Sequence, residues 1–214
     1  MSGHAADALL ILTVVVSLFM LGTSSIKAII RASALQGVLL ALLPVLVRGH
    51  LEAHALAIGL ASLGLKSFLI PSLLMTAMRR AGVNREVEPL ISYGWSVFLG
   101  GLLIAMSFAF ARRLTLPLGE HSSLLVPCAF STLLVGLLIL VSRTKAITQV
   151  AGYVVLENGI FMFGLALVKE LPFLVELGVL LDVLVGVFIM GLVIHRISAT
   201  FDHIDTHAMT TLRD

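Results

Sequence analysis

Residues 146–168 read AITQVAGYVVLENGIFMFGLALV, and the reading of this stretch decides the fold. Between Lys145 and Lys169 it holds one formal charge, Glu157. A helix needs about 20 apolar residues, at ~1.5 Å each, to cross a hydrocarbon core ~30 Å thick, and this run supplies them. A carboxylate in the middle of such a span costs about 2.5–3.5 kcal/mol on insertion scales. A membrane helix that keeps one has a partner or a task for it.

The whole chain agrees with that solvent. Of its 214 residues 59% are hydrophobic and 12% charged, with a mean hydropathy of +1.10. A water-soluble domain runs near half apolar and a quarter charged, so this is a membrane protein. Seven apolar stretches follow one another, roughly 5–23, 28–47, 52–78, 90–111, 123–142, 146–168 and 173–195. They predict an all-α, polytopic membrane protein of about seven transmembrane helices. MSGHAAD carries no Lys or Arg before the first run and no clear small-residue cleavage site closes it, so the first helix is expected to be retained. The longest polar link, RRAGVNREVEPLIS at 79–92, is the best internal boundary. The single cysteine, Cys128, excludes an intrachain disulfide. No basic patch interleaved with aromatics is present, so nucleic acid is not an expected partner.

The cations set an orientation. Lys27, Arg31, Arg79, Arg80, Arg85, Arg143, Lys145, Arg196 and Arg213 fall on one side, and Arg48, Arg112, Arg113 and Lys169 on the other. By the positive-inside rule the N-terminus is outside and the C-terminus cytoplasmic.

Three ionisable residues belong to no loop: Lys66, Glu157 and Asp182. They lie 13, 14 and 14 residues from Arg79, Arg143 and Arg196 respectively. At ~1.5 Å per residue all three reach roughly 20 Å from that edge, near mid-membrane. One shared layer can pair charges or pass protons. Burial favours the neutral carboxyl and a nearby lysine favours the carboxylate, which makes protonation switchable. Asn158 adjoins Glu157, Gln149 lies two turns toward the cytoplasmic edge, and Glu176 lies about a turn and a half outward of Asp182. Pro71, five residues after Lys66, removes a backbone hydrogen bond and marks a helix break. The plainer reading of the same layer is a structural ion pair between Lys66 and Glu157 or Asp182.

The outer thirds of the chain share a layout. KAIIRASALQGVLLALLPVLV and the helix of Lys66 parallel SRTKAITQVAGYVVLENGIFMFG and the helix of Asp182, each pair opening on a basic turn and an early glutamine, Gln36 or Gln149. The expected division is a three-helix unit at 1–85, a fourth helix with its flanks at 86–115, a second three-helix unit at 116–198 and a cytoplasmic tail at 199–214.

The stretches QVAGYVVLENG, LVELGVLLDVLVGVFIM and LKSFLIPSLLM, with a tail ending TTLRD, closely resemble membrane component E of hydrogenase-4 and related formate hydrogenlyase complexes. The resemblance covers essentially the whole chain. The unit 116–198 is also similar to the K subunit of respiratory complex I and the C subunit of multisubunit sodium/proton antiporters. It implies a non-catalytic membrane subunit of a redox-driven ion-pumping complex in the cytoplasmic membrane. Antiporter-like membrane subunits and a peripheral [NiFe] hydrogenase arm would be other chains. Two mid-membrane glutamates of the complex I subunit serve proton transfer; by position Glu157 matches the first, while Asp182 matches the second in role only, being an aspartate.

Other motifs carry less. His50-Leu-Glu-Ala-His54 lacks the glutamate directly after the first histidine that a zinc protease helix needs, and reads as a solvated loop. His203 and His207 are four apart and could ligate a metal if helical, but a docking tail is the reading taken. Met75 and Met78 read as packing or lipid contact. No cofactor or metal is expected in this chain. Two readings from other classes stay open: a structural scaffold joining antiporter-like subunits, and a free-standing small-molecule or ion transporter with a site near Lys66.

Overall fold

The computed structural model describes residues 2–48, 64–82, 85–86, 89–114 and 124–167. They are almost wholly helical: α1 Ser2–Gly22, α2 Ile26–Arg48, a π-helical turn Gly64–Leu69 running into α3 Ile70–Ala81, α4 Tyr93–Ala111, α5 Leu125–Ser142 and α6 Ala146–Leu167. Among the described residues there is no strand, only one isolated bridge between Ser25 and Arg85. Five helices are long and apolar enough to cross a membrane: His4–Gly22, Ile26–Pro44, Tyr93–Ala111, Leu125–Ser142 and Ala146–Ala166. They coincide with five of the seven expected spans. The third span is described from Gly64 onward, and the seventh, 173–195, lies outside the described residues together with Glu176, Asp182, His203 and His207. His50 and His54 also lie outside them.

Local chemistry marks the helix ends. The Ser25 hydroxyl accepts from the Ala28 N–H at 3.3 Å, occupying one of the free donors at the start of α2. Gly82 closes α3 in a left-handed turn at φ 65°, its N–H directed at the carbonyls of Arg79 and Met78. Pro71 falls in the first turn of α3, where a missing N–H costs least, and the wider π turn directly precedes it.

The helices pack through small residues, as helices in lipid do. A Cβ on Gly136 of α5 would strike the backbone of Leu156 on α6; one on Gly159 of α6 would strike the backbone of Leu133 on α5. These two helices therefore lie backbone to backbone. α6 also packs on α2 and α3, and α1 packs on α2, α4 and α5. α4 turns Ser96, Gly100 and Ser107 inward and presents Trp95, Phe98, Leu102, Met106 and Phe110 outward. In water such a stripe would be a liability; in a bilayer it is the lipid face.

The turn between α1 and α2, residues 85–86 and 89–91, and the turn between α5 and α6 meet at one end. The Glu86 N–H donates to the Ser24 carbonyl at 2.9 Å and the Leu90 N–H to the Ser142 carbonyl at 2.9 Å. Exposed Lys27, Arg31, Arg79, Arg80, Arg85 and Lys145 gather there.

Candidate functional site

Lys66 and Glu157 face each other inside the bundle. Lys66 Nζ donates to Glu157 Oε1 at 3.0 Å, and the two side chains are 3% and 1% exposed. Lys66 comes from the π turn and Glu157 from the middle of α6, 11 residues after Ala146, or roughly 17 Å along the axis. The equal depths read from the sequence thus place these two groups in contact. An ammonium and a carboxylate removed from water are tolerable only when paired and hydrogen-bonded, and this pair is both.

Local packing explains the meeting. The π turn sends Lys66 and Ile70 inward while Phe68 and Leu69 face out. Gly37 of α2 lies against this turn: a Cβ there would come within 2.8 Å of Ser67 Oγ and 3.0 Å of the Lys66 carbonyl carbon. With glycine at that position the turn can press against α2 and carry Lys66 into the core. Phe161, one turn beyond Glu157, holds its ring centroid 5.3 Å from the ammonium, a cation–π contact.

The layer extends further than charges alone disclosed. Lys66 Nζ also donates to Asn158 Oδ1 at 3.4 Å, Asn158 Nδ2 donates to Gln36 Oε1 at 3.4 Å, and Gln36 Nε2 donates to Ser17 Oγ at 2.7 Å and to the Thr13 carbonyl at 2.9 Å. All of these side chains are buried. One polar string therefore joins α6, the π turn, α2 and α1. Gln36 was visible in the sequence only as a repeat marker; Thr13 and Ser17 carried no signal beyond being polar in an apolar run.

Gln149 belongs elsewhere. Its amide donates to the Arg143 carbonyl at 2.9 Å, at the basic end of the bundle. A second polar cluster occupies that end. Glu86 is 1% exposed and accepts from the Thr144 N–H at 3.0 Å, the Thr144 hydroxyl at 2.6 Å, the Lys145 N–H at 3.1 Å and the Thr148 hydroxyl at 2.8 Å. Burial pushes its carboxyl up, but the threonine hydroxyls and the two backbone N–H groups outweigh this and hold it below its ordinary value. Arg143, counted from the sequence as a loop cation, is fully buried: it donates to the carbonyls of Leu21 at 2.5 Å and Ile91 at 3.3 Å and lies 4.7 Å from the Tyr93 ring centroid. The Tyr93 hydroxyl donates to the Glu86 carbonyl at 2.6 Å. Among the described residues no group of three metal-ligating side chains comes together.

Comparison with known proteins places the chain in a family. Over 204 residues the chain is 32% identical to the uncharacterised protein Rv0085 of Mycobacterium tuberculosis, spanning 94% of this chain and 92% of that one. Over 203 residues it is 26% identical to the proteins named hydrogenase-4 component E in Escherichia coli K12 and Shigella flexneri, spanning 94% of each chain. The chain belongs to the hydrogenase-4 component E family. Its likeness to that family runs nearly end to end rather than over one helix pair. No family model matches the chain, and no solved structure does. As a member of the component E family it is a multi-pass membrane protein, in accord with its five described spans.

Proposed function

We propose that this chain is a membrane subunit of a redox-driven ion-pumping complex and contributes to proton translocation through its mid-membrane polar layer. The relatives named hydrogenase-4 component E supply the redox side of this reading, a hydrogenase complex; that its catalytic arm and antiporter-like membrane subunits are other chains is part of the proposal. The observation that carries the ion-coupling side is the Lys66–Glu157 pair, 3.0 Å apart and buried on two different elements at the middle of the bundle. Such a pair can exist charged or neutral with the proton moved between partners, and a neighbouring charge or subunit movement biases the two forms. Asn158 supports the ammonium. Asp182 and Glu176 enter by sequence, as the continuation of the layer on a seventh helix, and the likeness of 116–198 to the complex I K subunit belongs to the same proposal. Pro71 and the π turn supply a local irregularity beside the charge, as ion-path helices often have. Gln149, bound at the basic end, is a candidate for the entrance to this layer.

The proposed setting is the cytoplasmic membrane, with the basic end facing the cytoplasm and the N-terminus outside. The polar string tying four elements together also favours a scaffold reading, in which the pair holds helices in place. The substitution Glu157→Gln separates the two. Its amide oxygen still accepts from Lys66 but no longer titrates, so assembly should be kept and proton translocation by the intact complex should fall. Normal translocation in assembled Glu157→Gln complexes would leave the scaffold.

A further inference from the structure

The two ends of the buried string have fixed hydrogen-bonding character. A backbone carbonyl can only accept, and a lysine ammonium can only donate. Gln36 meets the Thr13 carbonyl at 2.9 Å, so the group it turns toward α1 must be its NH2. Its oxygen then faces Asn158, which must present NH2 to it, at 3.4 Å, and this turns the Asn158 oxygen toward Lys66, also at 3.4 Å. The orientation of both amides follows from the chemistry of the ends rather than from any choice between oxygen and nitrogen. Reversing either amide would set donor against donor at a buried site, at the cost of an unsatisfied group. Ser17 reinforces the same sense: its hydroxyl accepts from Gln36 Nε2 at 2.7 Å and donates to the Thr13 carbonyl at 3.0 Å.

From this we infer that Gln36 is a positioning residue of the Lys66–Glu157 pair: anchored on α1 by Thr13 and Ser17, it locks the Asn158 amide with its oxygen on the ammonium. The inference rests on the ion-coupling reading proposed above. Gln36 does not touch the pair; it acts through Asn158. Without it the Asn158 NH2 is left buried with no acceptor in Gln36, the amide is drawn away to seek another, and the ammonium loses its hold on the Asn158 oxygen. Amide side chains also do not pass protons onward readily, so the string closes the α1 side of the pair rather than opening a route there. Lys66 is faced from α6 by Glu157, Asn158 and the Phe161 ring, while α2 and α1 turn Gln36, Ser17 and Thr13 to this layer, none of which titrates near neutral pH.

The experiment measures proton translocation against pH in membranes holding equal amounts of assembled complex, for the parent, Gln36→Met, Asn158→Leu, the double variant and Glu157→Gln. Gln36→Met keeps the length of the side chain and removes its hydrogen bonds. It should lower translocation by about tenfold, the effect of one lost hydrogen bond to a charged group, and should change the shape of the pH profile. Because both act through one contact, the double variant should be no worse than Asn158→Leu alone. Ser17→Ala, which removes one of two anchors, should change the profile by less and serves if Gln36→Met does not assemble. An unchanged pH profile in Gln36→Met, or in Ser17→Ala if that variant has to stand in, overturns the assignment, as do losses that multiply in the double variant. If Glu157→Gln pumps normally, the ion-coupling reading itself falls; if it does not pump while the Gln36 and Ser17 variants keep the parent profile, only the role of Gln36 falls.

Discussion

Among the described residues two glutamates are buried, and their surroundings differ in kind. Glu86, at the basic end, is held by neutral donors: two threonine hydroxyls and two backbone N–H groups. Arg143 lies in the same cluster, yet its guanidinium reaches the carbonyls of Leu21 and Ile91 rather than this carboxylate. Glu157, in the middle of the bundle, is held by a cation from another element. A carboxylate saturated by fixed dipoles stays an anion and serves as a clasp. One balanced against a lysine inside a membrane bundle leans on that partner for its charge, and whatever moves the partner biases the proton. Structure is therefore expected at the edge and coupling at the centre.

The largest effect on stability should come from breaking the clasp. Glu86→Ala strips the acceptor from four buried or partly buried donors and unties position 86 from the turn between α5 and α6. A loss of about 3–5 kcal/mol is expected, read as thermal unfolding of the detergent-solubilised protein. Arg143→Met removes the bridge between the ends of α1 and α4 and should cost about 2–3 kcal/mol. Gly136→Ala drives a methyl into the backbone of Leu156 and should cost about 1–3 kcal/mol by forcing α5 and α6 apart. The smallest and most discriminating effect is one of pH. The folded Glu86 carboxyl titrates below its ordinary value, so its contribution is present above the ordinary carboxylate range and is lost as the pH falls through the folded value. Glu86→Gln should therefore unfold more readily than the parent at neutral pH, with the gap narrowing on acidification. A gap that stays constant down through the acid range would mean the clasp does not depend on charge.

How much of this the sequence disclosed depends on the kind of signal. Spans and basic turns were legible because lipid imposes length and composition on every residue of a helix. Glu157 and Lys66 were legible because a formal charge in an apolar run is rare, and counting residues from the cations put them at one depth. Neutral polar residues gave no such contrast: Gln36, Ser17 and Thr13 look like ordinary tolerated polar residues until Gly37 is seen to admit the π turn beside them. Glu86 was hidden for the opposite reason. Among the charges of RRAGVNREVEPLIS a buried glutamate looks like a solvated one, and only the fold brings it to Thr144, in the turn before α6, and Thr148, in its first turn. Arg143 misled in the same way, marking the correct end of the bundle while being buried rather than solvated.

The central claim concerns which glutamate carries the coupling. Protons translocated per redox turnover, measured side by side in assembled complexes bearing Glu157→Gln or Glu86→Gln, test it most directly. The account predicts that the ratio collapses for Glu157→Gln and stays at the parent value for Glu86→Gln, whose complexes are merely less stable. A parent-like ratio for Glu157→Gln would contradict it.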